Sequence, residues 1–101
     1  MYRKFSKENK ELILKLAAEE FNCTVDNILA VDRTSRSSNA RHVAMAVIKL
    51  MLDSTLQEVG TYFGKHYTTI IHAKKRVDDD KRLLSIASSI VKKYKEHKDQ
   101  E

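Results

Sequence analysis

Between positions 65 and 76 the chain reads Lys-His-Tyr-Thr-Thr-Ile-Ile-His-Ala-Lys-Lys-Arg. That order suits contact with a polyanion whose edges carry a hydrogen-bond code. Lys65, His66, Tyr67, Thr68 and Thr69 can all donate or accept at a base edge, and a threonine methyl can also meet a thymine methyl. His72, Lys74, Lys75 and Arg76 follow, where a helix lying in a major groove brings its flanks near phosphates. Ile70, Ile71 and Ala73 stand behind them and would bury the segment against a core. A plainer reading stays open beside this one: Thr68 and Thr69 cap a surface helix, and the basic triplet is a solvated face.

Something must aim these groups, and two residues announce it. Gly60 and Gly64 are the only glycines of a chain without proline. They lie four residues apart in LQEVGTYFGKHYTTIIHAKKRV, where a short apolar helix (Leu56, Val59, Phe63) gives way to a second (Ile70, Ala73, Val77). Without a Cβ, Gly60 lets the second helix cross close above it, and Gly64 can close a helix in the left-handed conformation. A helix, a glycine turn and a helix ending in basic residues form the helix-turn-helix pattern. Apolar residues directly before each glycine, Val59 and Phe63, strengthen it.

Other chemistries find little support. His66 and His72 are six residues apart, off any common ligand face, and no cysteine pair accompanies them, so no metal site is expected. Asp78, Asp79 and Asp80 are consecutive, and their side chains diverge around a helix start, which favours capping. No phosphate loop, nucleophile motif or facing carboxylate pair is present, so no catalytic residue is assigned and the chain reads as a non-enzyme. With 101 residues it has room for one domain. A formal charge of +5, from 19 basic and 14 acidic residues, suits a polyanionic partner. One cysteine and no long apolar run point to a reducing, cytoplasmic setting without membrane contact. No small-molecule substrate is evident.

Apolar periodicity supplies the supporting elements, all helical. A first helix covers 6 to 21 with Ser6 as N-cap, and a short second one follows in TVDNILAV behind Thr24. Residues 32 to 41, DRTSRSSNAR, have no large apolar side chain and read as a loop. Beside a helix-turn-helix, Arg33 and Arg36 there suit an arginine arm in a minor groove. A third helix runs from Asn39 to about Leu52. Thr55 and Glu58 form a capping box for the next helix, which ends at Gly64. The helix-turn-helix then spans 55–78, and a last helix, 80–97, is acidic at its start and basic at its end, matching the helix dipole.

The stretch SSNARHVAMAVIKLMLDSTLQEVGTYFGKHYTTIIHAKKRV resembles the C-terminal DNA-binding domain of the bacterial chromosomal replication initiator DnaA. The likeness is carried by Arg41, by Thr55-Leu56-Gln57-Glu58-Val59-Gly60, by Phe63-Gly64-Lys65 and by Thr68-Thr69-Ile70-Ile71-His72-Ala73. It implies an all-α bundle of about six helices, of Trp-repressor type and without a sheet, forming one domain over 1–101. It implies double-stranded DNA as partner, with Arg33 in the minor groove and His66, Tyr67 and Thr68 reading bases. Arg36, Arg41, Lys49, Lys65, Thr69, His72, Lys75 and Arg76 are then phosphate or positioning contacts. The expected setting is the nucleoid, with the isolated domain monomeric.

The chain departs from its family just after Gly64. The family has Asp-His where His66-Tyr67 stand, and its turn is often one residue longer. An aspartate accepts from the exocyclic amine of cytosine; His66 could do so only through a neutral ring nitrogen. No cofactor is expected within these residues, ATP belonging to an upstream nucleotide-binding domain of a full initiator. The resemblance leaves three roles open: origin recognition or its regulation, a stand-alone transcriptional repressor of phage or mobile-element type, and a helical interaction module. The last would dock a partner on an apolar face of Leu83, Ile90 and Tyr94.

Overall fold

The computed structural model describes residues 3–30 and 34–100. In it the chain forms α1 (Lys7–Phe21), α2 (Val25–Leu29), α3 (Ser35–Met51), α4 (Leu56–Phe63), α5 (Tyr67–Asp79) and α6 (Lys81–Asp99). Two short extended segments, β1 (Arg3–Lys4) and β2 (Leu52–Asp53), pair in parallel. At two residues each they leave the fold all-α, although the glycine-poor, proline-free sequence suggests no pairing. Asn9 ties the segment down. It is buried on α1, and its Nδ2 donates to the Lys4 carbonyl at 2.9 Å.

Side chains close the helix starts. Ser6 Oγ accepts from the Asn9 N–H at 3.2 Å, and Thr24 and Thr55 each form a reciprocal capping box, with Asn27 and with Glu58. Asp80 Oδ1 accepts from the N–H groups of Arg82 and Leu83, the capping use expected of the acidic run. The end of α1 is closed by Asn22 at φ 52°. Asparagine is the non-glycine residue that best tolerates this left-handed conformation, so the helix ends without a glycine.

The largest difference from the sequence reading concerns residues 35 to 41, which are helical rather than looped. Thr34 caps α3 by accepting from the Ser37 N–H at 3.2 Å. Ser37 and Ala40 then face inward, 3% and 0% exposed. A helix face of small residues packs closely yet lacks the large apolar signal that periodicity detects. Arg36 therefore sits on the first turn of α3 rather than on an arm. Arg33 lies outside the described residues.

α3 is the central element and packs against α1, α5 and α6. Its Val43, Ala44, Met45, Val47 and Ile48 join Ile13, Leu14 and Ala17 of α1, Ile28 of α2, Val59 and Phe63 of α4, Ile70 and Val77 of α5, and Ile90 of α6 in one cluster. Leu83, Ile90 and Tyr94 are 2%, 0% and 1% exposed. The apolar stripe of α6 is thus core, which removes the docking face of the interaction-module reading. Cys23 is half-buried and packs against this core. Among the described residues no helix is long and apolar enough to cross a membrane.

Candidate nucleic-acid interface

Helix α4 ends where its sequence demands. Gly64 adopts φ 66°, ψ 34°, and the chain turns back with the Lys65 N–H donating to the Gly60 carbonyl at 2.8 Å. A Cβ at Gly64 would meet nothing within 4 Å, so it is backbone conformation that asks for glycine there. Gly60 is the converse case. A Cβ on it would lie 2.7 Å from the Lys65 carbonyl oxygen and 3.3 Å from the Tyr67 nitrogen. The turn and the first residue of α5 pass directly over it.

Helix α5 buries Ile70, Ala73 and Val77, at spacings of three and four. Lys65, His66, Tyr67, Thr68, His72 and Lys75 are all exposed, and Thr69 is half-buried. Ile71, expected behind the contact residues, is 42% exposed instead. Successive residues turn by about 100° on a helix, so Ile71 cannot share the face of Ile70. It adds an apolar surface beside Thr68, His72 and Lys75.

His66 is the N-cap of α5. Its Nδ1 accepts from the Thr68 N–H at 3.3 Å and lies 2.9 Å from the Thr68 hydroxyl. The imidazole leans on the Tyr67 ring, with centroids 4.5 Å apart at 36°. Three of the expected base-reading side chains, His66, Tyr67 and Thr68, thus form one interlocked group at the start of α5.

The expected phosphate contacts divide. Lys65 and Lys75 are exposed and enter no ion pair among the described residues. Lys49 is half-buried in the last turn of α3. Arg36 is exposed, and its Nη1 donates to the Asn22 carbonyl at 3.4 Å. Arg41 is committed inside the fold: it donates to the carbonyls of Ile28 at 2.6 Å, Asn27 at 3.2 Å and Ala30 at 2.8 Å. Those carbonyls belong to the end of α2, so Arg41 serves as its C-terminal cap.

Arg76 is likewise engaged, joining α5 to α3. Its Nη1 lies 2.6 Å from His42 Nδ1, and its Nη2 donates to Asn39 Oδ1. Because Arg76 only donates, His42 must offer a bare Nδ1. Burial, then the charges of Arg76 and Arg41, lower the pKa of His42 below its ordinary 6.5 and keep the ring neutral. Sequence reasoning missed Asn39 and His42 because they lie 37 and 34 residues from Arg76. Among the described residues no three His, Cys, Asp or Glu side chains are grouped to hold a metal ion.

Residues 10–77 match the family model for the bacterial dnaA protein helix-turn-helix. The chain belongs to this family. Curated relatives agree with the assignment. The chain is 36% identical over 95 residues to the chromosomal replication initiator protein DnaA of Thermodesulfovibrio yellowstonii, covering 85% of this chain and 22% of that protein. The same-named protein of Thermosipho melanesiensis is 31% identical over 88 residues, covering 87% and 20%. That of Corynebacterium jeikeium is 27% identical over 90 residues, covering 84% and 15%. The chain therefore spans about a fifth of the length of the DnaA proteins it matches. The matched region holds α2, α3 and α4, together with most of α1 and of α5.

Proposed function

We propose that this chain binds double-stranded DNA sequence-specifically, with α5 in the major groove, and that it serves origin recognition or its regulation. One observation carries the reading. After a turn built on Gly60 and Gly64, α5 buries Ile70, Ala73 and Val77 and leaves Lys65, His66, Tyr67, Thr68, His72 and Lys75 together at the surface. His66, Tyr67 and Thr68 meet base edges, while Lys65, Thr69, His72 and Lys75 hold phosphates. Arg36 and Lys49 reach the backbone from α3. Arg33 enters an adjacent minor groove, where a narrow A·T tract concentrates negative potential. The link to replication is supported by the family and by the names of its relatives.

Selection of preferred duplexes from a random pool, followed by a salt titration, tests this. A defined short site is expected. With roughly four to seven phosphates neutralised, log K should fall against log salt with a slope of about −4 to −6. If no duplex binds above the non-specific level at moderate salt, the proposal fails.

A further inference from the structure

Resting on the DNA-binding reading, we infer that His66 makes this chain discriminate against cytosine at one base of its site. Its geometry makes the outward ring nitrogen a donor, which needs an acceptor on the base edge it faces.

The argument starts from the cap. A backbone N–H can only donate, so the contact from Thr68 N–H to His66 Nδ1 at 3.3 Å requires a lone pair on Nδ1. A neutral imidazole with a bare Nδ1 carries its proton on Nε2, which is therefore a donor. The capping bond assigns the tautomer. The Thr68 hydroxyl, 2.9 Å from the same nitrogen, is compatible with this, since a hydroxyl can donate to a bare Nδ1. Tyr67, whose ring lies 4.5 Å away at a tilt of 36°, packs against the imidazole in this orientation. His66 is exposed, so Nε2–H is available to a ligand. The route by which a neutral histidine would accept from a cytosine amine is closed, since the nitrogen able to accept is occupied by the helix start.

The major-groove edges then sort themselves. Guanine offers N7 and O6 as acceptors, adenine N7 and thymine O4, whereas cytosine offers only its amine donor. Facing Nε2–H, cytosine leaves two donors opposed. Guanine, with two adjacent acceptors, fits best. His66 is in this sense a specificity-determining residue.

Duplex selection with the wild-type chain and with His66→Asp and His66→Asn decides the matter. Both replacements retain a side-chain acceptor suited to an N-cap, so helix content by circular dichroism should be preserved. Aspartate only accepts, and asparagine does both. In the wild-type pool one position should exclude cytosine on the strand whose register the rest of the site fixes. His66→Asp should bring cytosine to that same position and leave the others unchanged, and His66→Asn should broaden it. Placing cytosine there should weaken wild-type binding about tenfold or more, and His66→Asp binding much less. The inference is overturned if the responding position already prefers cytosine in the wild-type pool. It is overturned equally if neither variant moves any position while helix content holds. If the wild-type chain selects no site at all, DNA reading itself fails, and the His66 assignment with it.

Discussion

Arg41 and Lys75 carry the same charge, stand in the same family-like stretch and face opposite fates. Lys75 projects from the exposed side of α5. Arg41 points back at three carbonyls at the end of α2, with its closest bond at 2.6 Å. A guanidinium with several donors in a rigid fork suits this task, which an ammonium would do poorly. Hydrogen bonds involving a charged group contribute about 1.5–3 kcal/mol each, and the carbonyls nearest solvent regain water when the arginine goes. Arg41→Met is therefore expected to cost about 2 kcal/mol in urea unfolding. If Arg41 touched a phosphate, its loss would also lower the salt slope of DNA binding by about one, as expected for Lys75→Ala. We expect the slope of Arg41→Met to match the wild type. A flattened slope would return Arg41 to the interface. Arginine identity was legible in the sequence; its partners, 11 to 14 residues away, were not.

At the scale of elements, the placement of α5 rests on two kinds of contact. One is local. Gly60 and Gly64 set its departure from α4, and both could be read from the sequence because turn and partner lie within seven residues. The other is long-range, and joins Arg76 to Asn39 and His42 of α3. Arg76 thus positions the helix it was expected to serve as a phosphate ligand. A pH dependence follows from His42. Its pKa is held below the ordinary 6.5, first by burial and then by Arg76 and Arg41. The unfolded chain therefore takes up the proton first. Stability from this source is complete above about pH 6.5 and declines as pH falls from there towards the folded-state value. The urea midpoint should drop between about pH 7.5 and about pH 5.5, and His42→Gln should flatten that dependence. An equal drop in the variant would assign the effect elsewhere. Glu20, whose carboxyl pKa is lowered by the hydrogen bonds of Lys93 and Ser89, loses its contribution only as pH falls below its ordinary 4.5, outside this window.

For the whole molecule, α6 completes the core across α1, α3 and α5. Tyr94 is among the largest fully buried side chains, while Leu84, on the same helix, is 42% exposed. Replacing a buried aromatic ring by alanine costs about 3–5 kcal/mol, through lost burial and the cavity left behind. Tyr94→Ala is expected to fall in that range in urea unfolding, and Leu84→Ala to cost under about 1 kcal/mol. Similar small costs for both would show that α6 is a dispensable appendage, and would reopen the docking-face reading.

The sequence by itself determined the all-α class, the helix starts at Ser6, Thr24 and Thr55, and the turn that aims α5. Caps, capping boxes and a left-handed glycine are closed by bonds spanning two to five residues, so their partners are visible in the linear order. It also misread 35 to 41, because small inward residues such as Ser37 and Ala40 leave no periodic apolar mark. Tertiary structure decided how the basic residues are spent. Arg41 caps α2, Arg76 holds α5 to α3, and Lys65 and Lys75 remain at the surface. A positive charge looks the same in a sequence wherever it points. Only the packing of α2 and α3 beside it determines whether its hydrogen bonds are consumed within the fold or left for a phosphate.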